Sequence, residues 1–203
     1  MTADPLPEGV REAVDRAADA VADGDLVVYP TETVYGLGAD ALDSDAVGRV
    51  FDLKGRDRDD PLSLGVPSVE AARQYTDPSE RELAFMRRFL PGPVTVVVDR
   101  APGVPDALTG GRDRVGVRVP DDDVALALLE RTGPLTATSA NRSGAGSVRR
   151  VADLDAAIRE GVAVVIDGGE TPGTESTVVE PSSGTIHRRG ALADEIAEWL
   201  TTH

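Results

Sequence analysis

Short apolar runs alternate along the chain with segments in which apolar residues recur every three or four positions. The runs predict buried strands, and the periodic segments predict amphipathic helices. Strands are predicted at 26–29, 62–66, 94–98, 115–119, 134–138, 162–166 and 176–179, with a last strand ending at 188–189. Helices are predicted at 8–23, 121–129, 153–160 and 192–199, from 44 to the loop at 54, from 77 to 89, and briefly after 68.

This alternation of helices and strands is typical of the α/β class. Some connections, notably that at 179–185, are too short for a helical crossover, so some strands must be antiparallel and the sheet mixed. The final helix is expected to bury Leu192, Ile196 and Trp199. Residues 1–7 are predicted to form a loose acidic leader.

Polar residues mark the points where helices should begin. Ser44 is the predicted cap of the second helix, because a serine side chain can accept a hydrogen bond from an exposed N–H of the first turn. Further along, Asp77 is the predicted cap of another helix, with Pro78 in its first turn and Glu80 as the capping-box acid.

The stretch 26–41 has the strongest functional pattern. Its buried strand should end at Pro30, which has no backbone donor, and two threonines and a glutamate follow directly. Gly36 and Gly38 would let the backbone turn tightly or approach a ligand. In open α/β sheets, ligands bind beyond the carboxyl ends of the strands. An ordinary polar connection would contain the same residue types.

Lys54 favours a functional site over an ordinary polar connection, since it is the only lysine among 21 Lys and Arg residues. It lies beside Gly55 and is followed by Arg56 and Arg58. A cluster of cations next to a glycine suits a phosphate or a carboxylate, although charged clusters are more often solvated loops.

The composition limits the classes of protein. A chain of 203 residues with 40% hydrophobic content is long enough for one domain of substantial size, predicted to cover 1–203. The net charge of −15 is typical of a protein kept soluble in high salt, as in halophiles, and argues against a large nucleic-acid footprint. A small basic pocket is still compatible with this net charge.

The absence of cysteine excludes disulfides and thiolate chemistry. Only His187 and His203 could supply imidazole, which disfavours a histidine metal site or a serine–histidine triad, and no metal-ligand set is predicted. No apolar run has the length of a membrane span, and the N-terminal residues do not resemble an export signal. We therefore expect a cytoplasmic protein.

The polar loops collect hydroxyls, one amide and several cations, with no obvious base or nucleophile. Such a set would bind phosphates and carboxylates and would act by positioning and charge stabilisation. The candidate residues are Thr31, Thr33, Lys54, Arg56, Arg118, Thr138, Ser139, Asn141, Ser143, Ser176 and Arg188.

Six motifs occur in the order YPTETVYGLG, KGR followed by PL, PGPVTVVV, VGVRVP, TSANRSG and STVVE. In these motifs, spread over about residues 8–192, the chain resembles the YrdC-type L-threonylcarbamoyladenylate synthases, in a short form with the catalytic domain alone. The resemblance implies one α/β unit with a twisted mixed sheet around a positively charged cavity. It also implies an enzyme that converts L-threonine, bicarbonate and ATP into threonylcarbamoyl-AMP and pyrophosphate.

The resemblance assigns roles to the candidate residues. The expected catalytic residues are Lys54 and Arg56. The expected threonine ligands are Thr31, Arg118, Thr138 and Ser176, with Arg118 as a bidentate partner of the carboxylate. The expected nucleotide ligands are Lys54, Arg56, Arg58, Ser139, Asn141, Ser143 and Arg188.

Mg²⁺ is expected through the ATP phosphates rather than in a protein cage. The implied downstream partner is a transferase that moves the threonylcarbamoyl group to a tRNA adenosine, so that any RNA contact of this chain would be weak or transient.

Three positions depart from the pattern of the family. Gly65 stands where many members have a substrate-facing histidine, Asp57 replaces a proline, and Arg189 follows Arg188 where a proline is usual. The missing histidine leaves open a paralogue that acts on another nucleotide or phosphorylated substrate. A non-catalytic RNA- or nucleotide-binding module is a further alternative, which the acidic charge disfavours.

Overall fold

The computed structural model describes residues 6–203, so most of the predicted leader at 1–7 lies outside the described residues. Within that range nine strands form one sheet in the order β7-β1-β2-β6-β3-β5-β4-β8-β9. The strands are β1 Val27–Tyr29, β2 Gly36–Gly38, β3 Ser63–Gly65, β4 Val94–Asp99, β5 Arg114–Arg118, β6 Leu135–Ser139, β7 Val164–Val165, β8 Thr177–Glu180 and β9 Thr185–Arg188.

The pairs β1–β7, β3–β5 and β4–β8 are parallel, and the other neighbouring strands are antiparallel. The helices are α1 Glu8–Ala22, α2 Ser44–Lys54, α3 Val69–Ala72, α4 Glu80–Phe89, α5 Asp106–Thr109, α6 Asp123–Thr132, α7 Ala156–Glu160 and α8 Ala193–Thr202. The predicted α/β class with a mixed sheet and flanking helices is confirmed. Between residues 6 and 203, no helix is long and apolar enough to cross a membrane.

Strand β1 is buried on both faces, as its apolar run predicts. Val27 and Tyr29 pack in a cluster with residues of α1 and α6, whereas Val28 belongs to the larger cluster on the other side of the sheet. Successive residues of a strand point to opposite faces, so one short strand can join two cores.

The caps of two helices differ from the prediction. The cap of α2 is Asp43, whose Oδ1 accepts a hydrogen bond from the backbone N of Asp45 at 2.9 Å, and Ser44 is the first helical residue. The cap of α4 is Ser79 rather than Asp77, and Glu82 rather than Glu80 completes the capping box. Each predicted cap is displaced because a neighbouring side chain has the better reach to an N–H of the first turn.

The last two helices also differ in detail from the prediction. Helix α7 begins after Asp155, because a short 3₁₀ turn at Val151–Asp153 precedes it. In the last helix Ile196 is buried, and Trp199 packs against the rings of Phe85 and Phe89 in the core at the end of α4. The predicted burial of Leu192 is wrong. This residue precedes α8 with a φ of 61° and lies on the surface, 42% exposed.

Gly36 and Gly38 form strand β2 instead of a turn, which corrects the prediction for this segment. A Cβ atom at Gly38 would lie 2.9 Å from Cε1 of Tyr29, and one at Gly36 would lie 2.9 Å from its Cζ. The close approach that the glycines allow is therefore made by the phenol ring on the neighbouring strand. Burial of this ring raises the pKa of Tyr29 to about 12.

We expect Gly38→Ala to destabilise the fold by about 1–3 kcal/mol, because the new methyl group would overlap the buried Tyr29 ring. Gly103→Ala is the matched control, since nothing lies within 4 Å of a Cβ atom at that position. Urea unfolding of both variants measures the difference. Equal unfolding midpoints would show that the ring can move aside.

Candidate active site

A cavity of about 590 Å³ lies against one face of the sheet. Strand β5 shows how it is formed, because Arg114, Gly116 and Arg118 line the cavity while Val115 and Val117 pack in the core. Alternate residues of the neighbouring strands also line it, and these are Ser63, Gly65, Thr95, Val97, Val178 and Glu180. The site therefore lies over the sheet face as well as at the strand ends, where ligands were expected.

Arginines outnumber carboxylates in the cavity wall formed by residues 6–203. The five arginines are Arg56, Arg112, Arg114, Arg118 and Arg188, and the three carboxylates are Asp60, Glu175 and Glu180. The excess of cations in this wall contrasts with the net charge of −15 of the chain. Such a local field attracts anionic groups despite the acidic surface.

Arg118 is the most deeply buried cation of the cavity wall, with 7% of its surface exposed. Its Nη1 donates to the carbonyl oxygens of Gly92 and Val94, and its Nη2 donates to Thr33 Oγ1 at 3.3 Å. Glu32 Oε1 lies 2.9 Å from the same Nη2. Burial lowers the pKa of Arg118, and the charge of Glu32 opposes this shift. Both terminal nitrogens thus have protein partners, so a carboxylate bound through both of them would have to displace some of these.

Lys54 lies beside the cavity rather than in its wall and is only 2% exposed. Its Nζ donates to the backbone carbonyl oxygens of Ser139 and Asn141, the latter at 2.6 Å. The backbone N of Ser143 donates in return to the carbonyl of Lys54 at 2.9 Å. Lys54 therefore holds the end of β6 and the loop that follows it, and Ser139 at this end of the strand lines the cavity. Burial, with a smaller effect of the Arg56 charge, lowers the pKa of Lys54 to about 8.

Arg56 lines the cavity and Arg58 does not. The Arg56 guanidinium donates to the carbonyl oxygens of Asp60 and Pro61 at 2.9 and 3.1 Å, which braces the loop before β3. Arg58 instead contacts Asp52 at 2.7 Å with 60% of its side chain exposed.

The predicted hydroxyl residues Thr31, Thr138, Ser139 and Ser176 line the cavity, as does Thr33. The remaining two loop residues lie outside it. Asn141 is buried, and its Nδ2 donates to the carbonyl oxygens of Arg142 and Ala145, so it shapes the loop. Ser143 is exposed.

Of the two adjacent arginines, Arg188 belongs to the cavity. Its guanidinium donates to Ser176 Oγ at 2.9 Å and contacts Glu175 at 3.2 Å. Arg189 points away and pairs with Asp194. Of these two arginines, Arg188 is therefore the one that could contact a ligand in the cavity.

Sequence reasoning missed polar residues near the amino-terminal ends of strands. Arg114 is the first residue of β5 and contacts Glu82, Asp99 and Glu180, and the side chain of Thr95 on β4 lies 3.1 Å from Ser176 Oγ. The signal was present in the polar residues that alternate with valines in these strands. The candidates were instead taken mainly from the polar loops, which do not include these two residues.

The part of the chain from residue 6 onward contains no group of three His, Cys, Asp or Glu side chains placed to hold a metal ion. The guanidinium and hydroxyl groups of the cavity are instead suited to anionic oxygens, such as those of phosphates and carboxylates. The site is thus of the anion-binding class, on a mixed α/β sheet.

Comparison with known proteins identifies the family. The sequence profile of the Sua5/YciO/YrdC family, described as telomere recombination, matches residues 19–190. A threonylcarbamoyl-AMP synthase of Pyrococcus abyssi is 42% identical over 180 residues, which cover 84% of this chain and 53% of that protein. One of Escherichia coli is 36% identical over 188 residues, which cover 89% of this chain and 97% of that protein.

The crystal structure of P. abyssi Sua5 complexed with L-threonine matches the fold with a TM-score of 0.83 and 38% identity. The match covers 97% of this chain and 58% of that one. The chain belongs to the Sua5/YciO/YrdC family, which confirms the resemblance seen in its motifs. It spans about half the length of the P. abyssi relative.

The lowered pKa of Lys54 can be measured directly, because the only lysine of the chain gives a single Nζ signal after ¹⁵N-lysine labelling. We expect this signal to titrate near 8 instead of 10.5, since burial disfavours the charged form. Arg56→Gln should raise the midpoint, because it removes a neighbouring positive charge, whereas Arg189→Gln is the control and should leave it unchanged. A midpoint near 10.5 in the unchanged protein would contradict the burial of Nζ.

Proposed function

We propose that this chain is an L-threonylcarbamoyladenylate synthase that forms threonylcarbamoyl-AMP and pyrophosphate from L-threonine, bicarbonate and ATP. The observation that carries the proposal is one cavity with a buried guanidinium, Arg118, at one part of its wall and the half-buried Arg56 and the exposed Arg188 at others. The threonine carboxylate, bicarbonate and the triphosphate of ATP are the anionic groups of these substrates. The names of the relatives and the threonine complex of P. abyssi Sua5 support the same activity.

In this proposal Arg118 with Thr31, Thr138 and Ser176 binds threonine. Arg56 and Arg188, with Ser139, bind the ATP phosphates and stabilise the charge that develops as pyrophosphate leaves. Lys54 positions Ser139 through the loop carbonyls, and its remaining N–H group is available to a phosphate if the loop adjusts. Asn141 and Ser143 act through the same loop, and Arg58 supplies a more distant positive charge.

The reaction needs no protein nucleophile. The threonine amine forms a bond to the carbon of bicarbonate, whose C–OH bond breaks so that the hydroxyl leaves with the amine proton as water. If CO₂ is the acceptor, the amine only loses its proton, and both routes yield a carbamate. A carbamate oxygen then attacks the α-phosphorus of ATP, and the bond from that phosphorus to the β-phosphate bridging oxygen breaks to release pyrophosphate. Positioning and charge stabilisation are the contributions that guanidinium and hydroxyl groups can make to such a transfer.

We also propose that Mg²⁺ enters with the ATP. Arginines outnumber carboxylates in the cavity wall formed by residues 6–203, which fits a metal held mainly by phosphate oxygens and water. Asp60 and Glu175 are the nearest carboxylates to the arginines assigned to ATP, since they contact Arg56 and Arg188 respectively.

The downstream partner would be a cytoplasmic transferase that moves the threonylcarbamoyl group to a tRNA adenosine. The net charge of −15 supports a product handed over by diffusion or brief contact, with at most a weak affinity of this chain for RNA.

One observation favours a second candidate, a paralogue that acts on another nucleotide or phosphorylated substrate. Gly65 lines the cavity, and a Cβ atom there would meet ordinary contacts, 3.5 Å from Ala137 Cβ and from the carbonyl oxygen of Leu135. A Cβ atom would therefore fit at this position, and glycine leaves that space to the cavity.

Product analysis separates these two functions. With L-threonine, bicarbonate and Mg-ATP in a high-potassium buffer, we expect pyrophosphate release and a nucleotide with the mass of threonylcarbamoyl-AMP. Omission of threonine or bicarbonate is expected to abolish both signals. Binding of ATP without this product would favour the paralogue, and a strong salt-dependent affinity for RNA would favour a binding module.

The adjacent arginines provide a matched test of the site. Arg188→Met is expected to lower ATP-dependent turnover at least about ten-fold, because it removes a cation from the cavity wall. Arg189→Met should change turnover by less than about two-fold, since Arg189 pairs with Asp194 outside the cavity. The two side chains are similarly exposed, at 49% and 59%, so loss of surface charge alone would affect both variants equally.

A further inference from the structure

Glu32 lies next to the cavity, and the proposed function gives it no role. It stands between Thr31 and Thr33, both of which line the cavity, and its side chain is 16% exposed. Its Oε1 lies 2.9 Å from Nη2 of Arg118, the cation assigned to the threonine carboxylate. A negative charge is therefore fixed beside the carboxylate-binding group.

The carboxylate of Glu32 has few partners among residues 6–203. Both of its oxygens are buried, and its one close partner is the Arg118 guanidinium at 2.9 Å, while Oε2 has no hydrogen-bond donor among these residues. An ionised carboxylate can accept about four hydrogen bonds, and a buried one without donors is costly. Nearby Asp122 is different, because its Oδ1 accepts hydrogen bonds from the backbone N of Val124 and Ala125.

Arg118 and Glu32 place opposite charges side by side at this part of the cavity. Arg118 and Glu32 are both largely buried, so the attraction between each of them and a ligand is screened less than at the surface. A site with the cation alone would favour any carboxylate. A site with a cation and an adjacent anion favours a ligand that has both an ammonium and a carboxylate group.

We propose that Glu32 is a specificity-determining residue, which makes the amino-acid end of the cavity select the zwitterion of an α-amino acid over a simple carboxylate. The proposal rests on the proposed function, since it takes threonine as the ligand of Arg118. Glu32 acts through its charge and its pairing with Arg118, and so it positions the ammonium group from which the nucleophilic amine must form.

Three probes test this by calorimetric binding to the full chain. L-threonine has both charged groups, L-threoninamide has only the ammonium, and (R)-3-hydroxybutanoate has only the carboxylate. In Glu32→Gln, which keeps the shape of the side chain, the preference for threonine over 3-hydroxybutanoate should fall at least about ten-fold. The affinity for threoninamide should fall as the affinity for threonine does, whereas 3-hydroxybutanoate should bind the variant as well as the wild type or more tightly.

Two further variants serve as controls. Glu32→Asp keeps the charge and is expected to retain the preference even if the affinity falls. Glu175→Gln removes a carboxylate that faces Arg188 elsewhere in the cavity and should leave the preference unchanged. A competition measurement on the wild-type chain does not depend on how well any variant folds. The proposed role of Glu32 predicts that threoninamide competes with threonine in this measurement.

Several outcomes would overturn the proposal. An unchanged preference in Glu32→Gln, or equal weakening of all three probes, would show that Glu32 has no selective role. Failure of threoninamide to compete with threonine in the wild type would exclude this role of Glu32 as well. If the wild-type chain binds none of the three probes, the proposed function itself fails, which is a result distinct from the others.

Discussion

Successive residues of a strand point to opposite faces of the sheet, and the rest of this structure depends on that constraint. In β5 the valines must face the core that α4 and its neighbours cover, so Arg114, Gly116 and Arg118 necessarily face the other way. The same alternation in β3, β4 and β8 supplies the remaining floor of the cavity. A shift of one residue in the register of β5 would bury two arginines in the core and would destroy both the fold and the site.

Buried cations stay in this structure because backbone carbonyls and carboxylates surround them. Arg118 has the carbonyl oxygens of Gly92 and Val94 together with Glu32, and Lys54 has those of Ser139 and Asn141. The desolvation of such charges costs several kcal/mol per ion unless partners compensate it. These contacts also join the segment before β4 to β5, and the end of α2 to the loop after β6. The residues proposed to bind anions are therefore among those that fix the loops of the site.

The acidic surface and the arginine-lined cavity serve different purposes. A net charge of −15 disfavours broad association with nucleic acids, whereas the local excess of arginine favours small anions. Beside the cavity, the carboxylate of Glu32 limits that attraction at one point. Selection between a zwitterion and an anion then depends on a single pair of charges, with a separation fixed by short-range contacts.

The sequence by itself determined the α/β class, most strands and helices, and the family, because periodicity and ordered motifs are local properties of the chain. Most of the candidate residues that it identified line the cavity, among them Thr31, Arg56, Arg118 and Ser176. Cap positions depended on which neighbouring side chain makes the hydrogen bond, and the Tyr29 ring packs against the strand at Gly36–Gly38. The exposure of Leu192 was likewise visible only in the structure. Only the tertiary structure could separate Arg188 from Arg189, bring Glu32 to Arg118 and add Arg114 to the wall. These relations depend on strand register and on contacts between residues far apart in the chain, which no local pattern encodes.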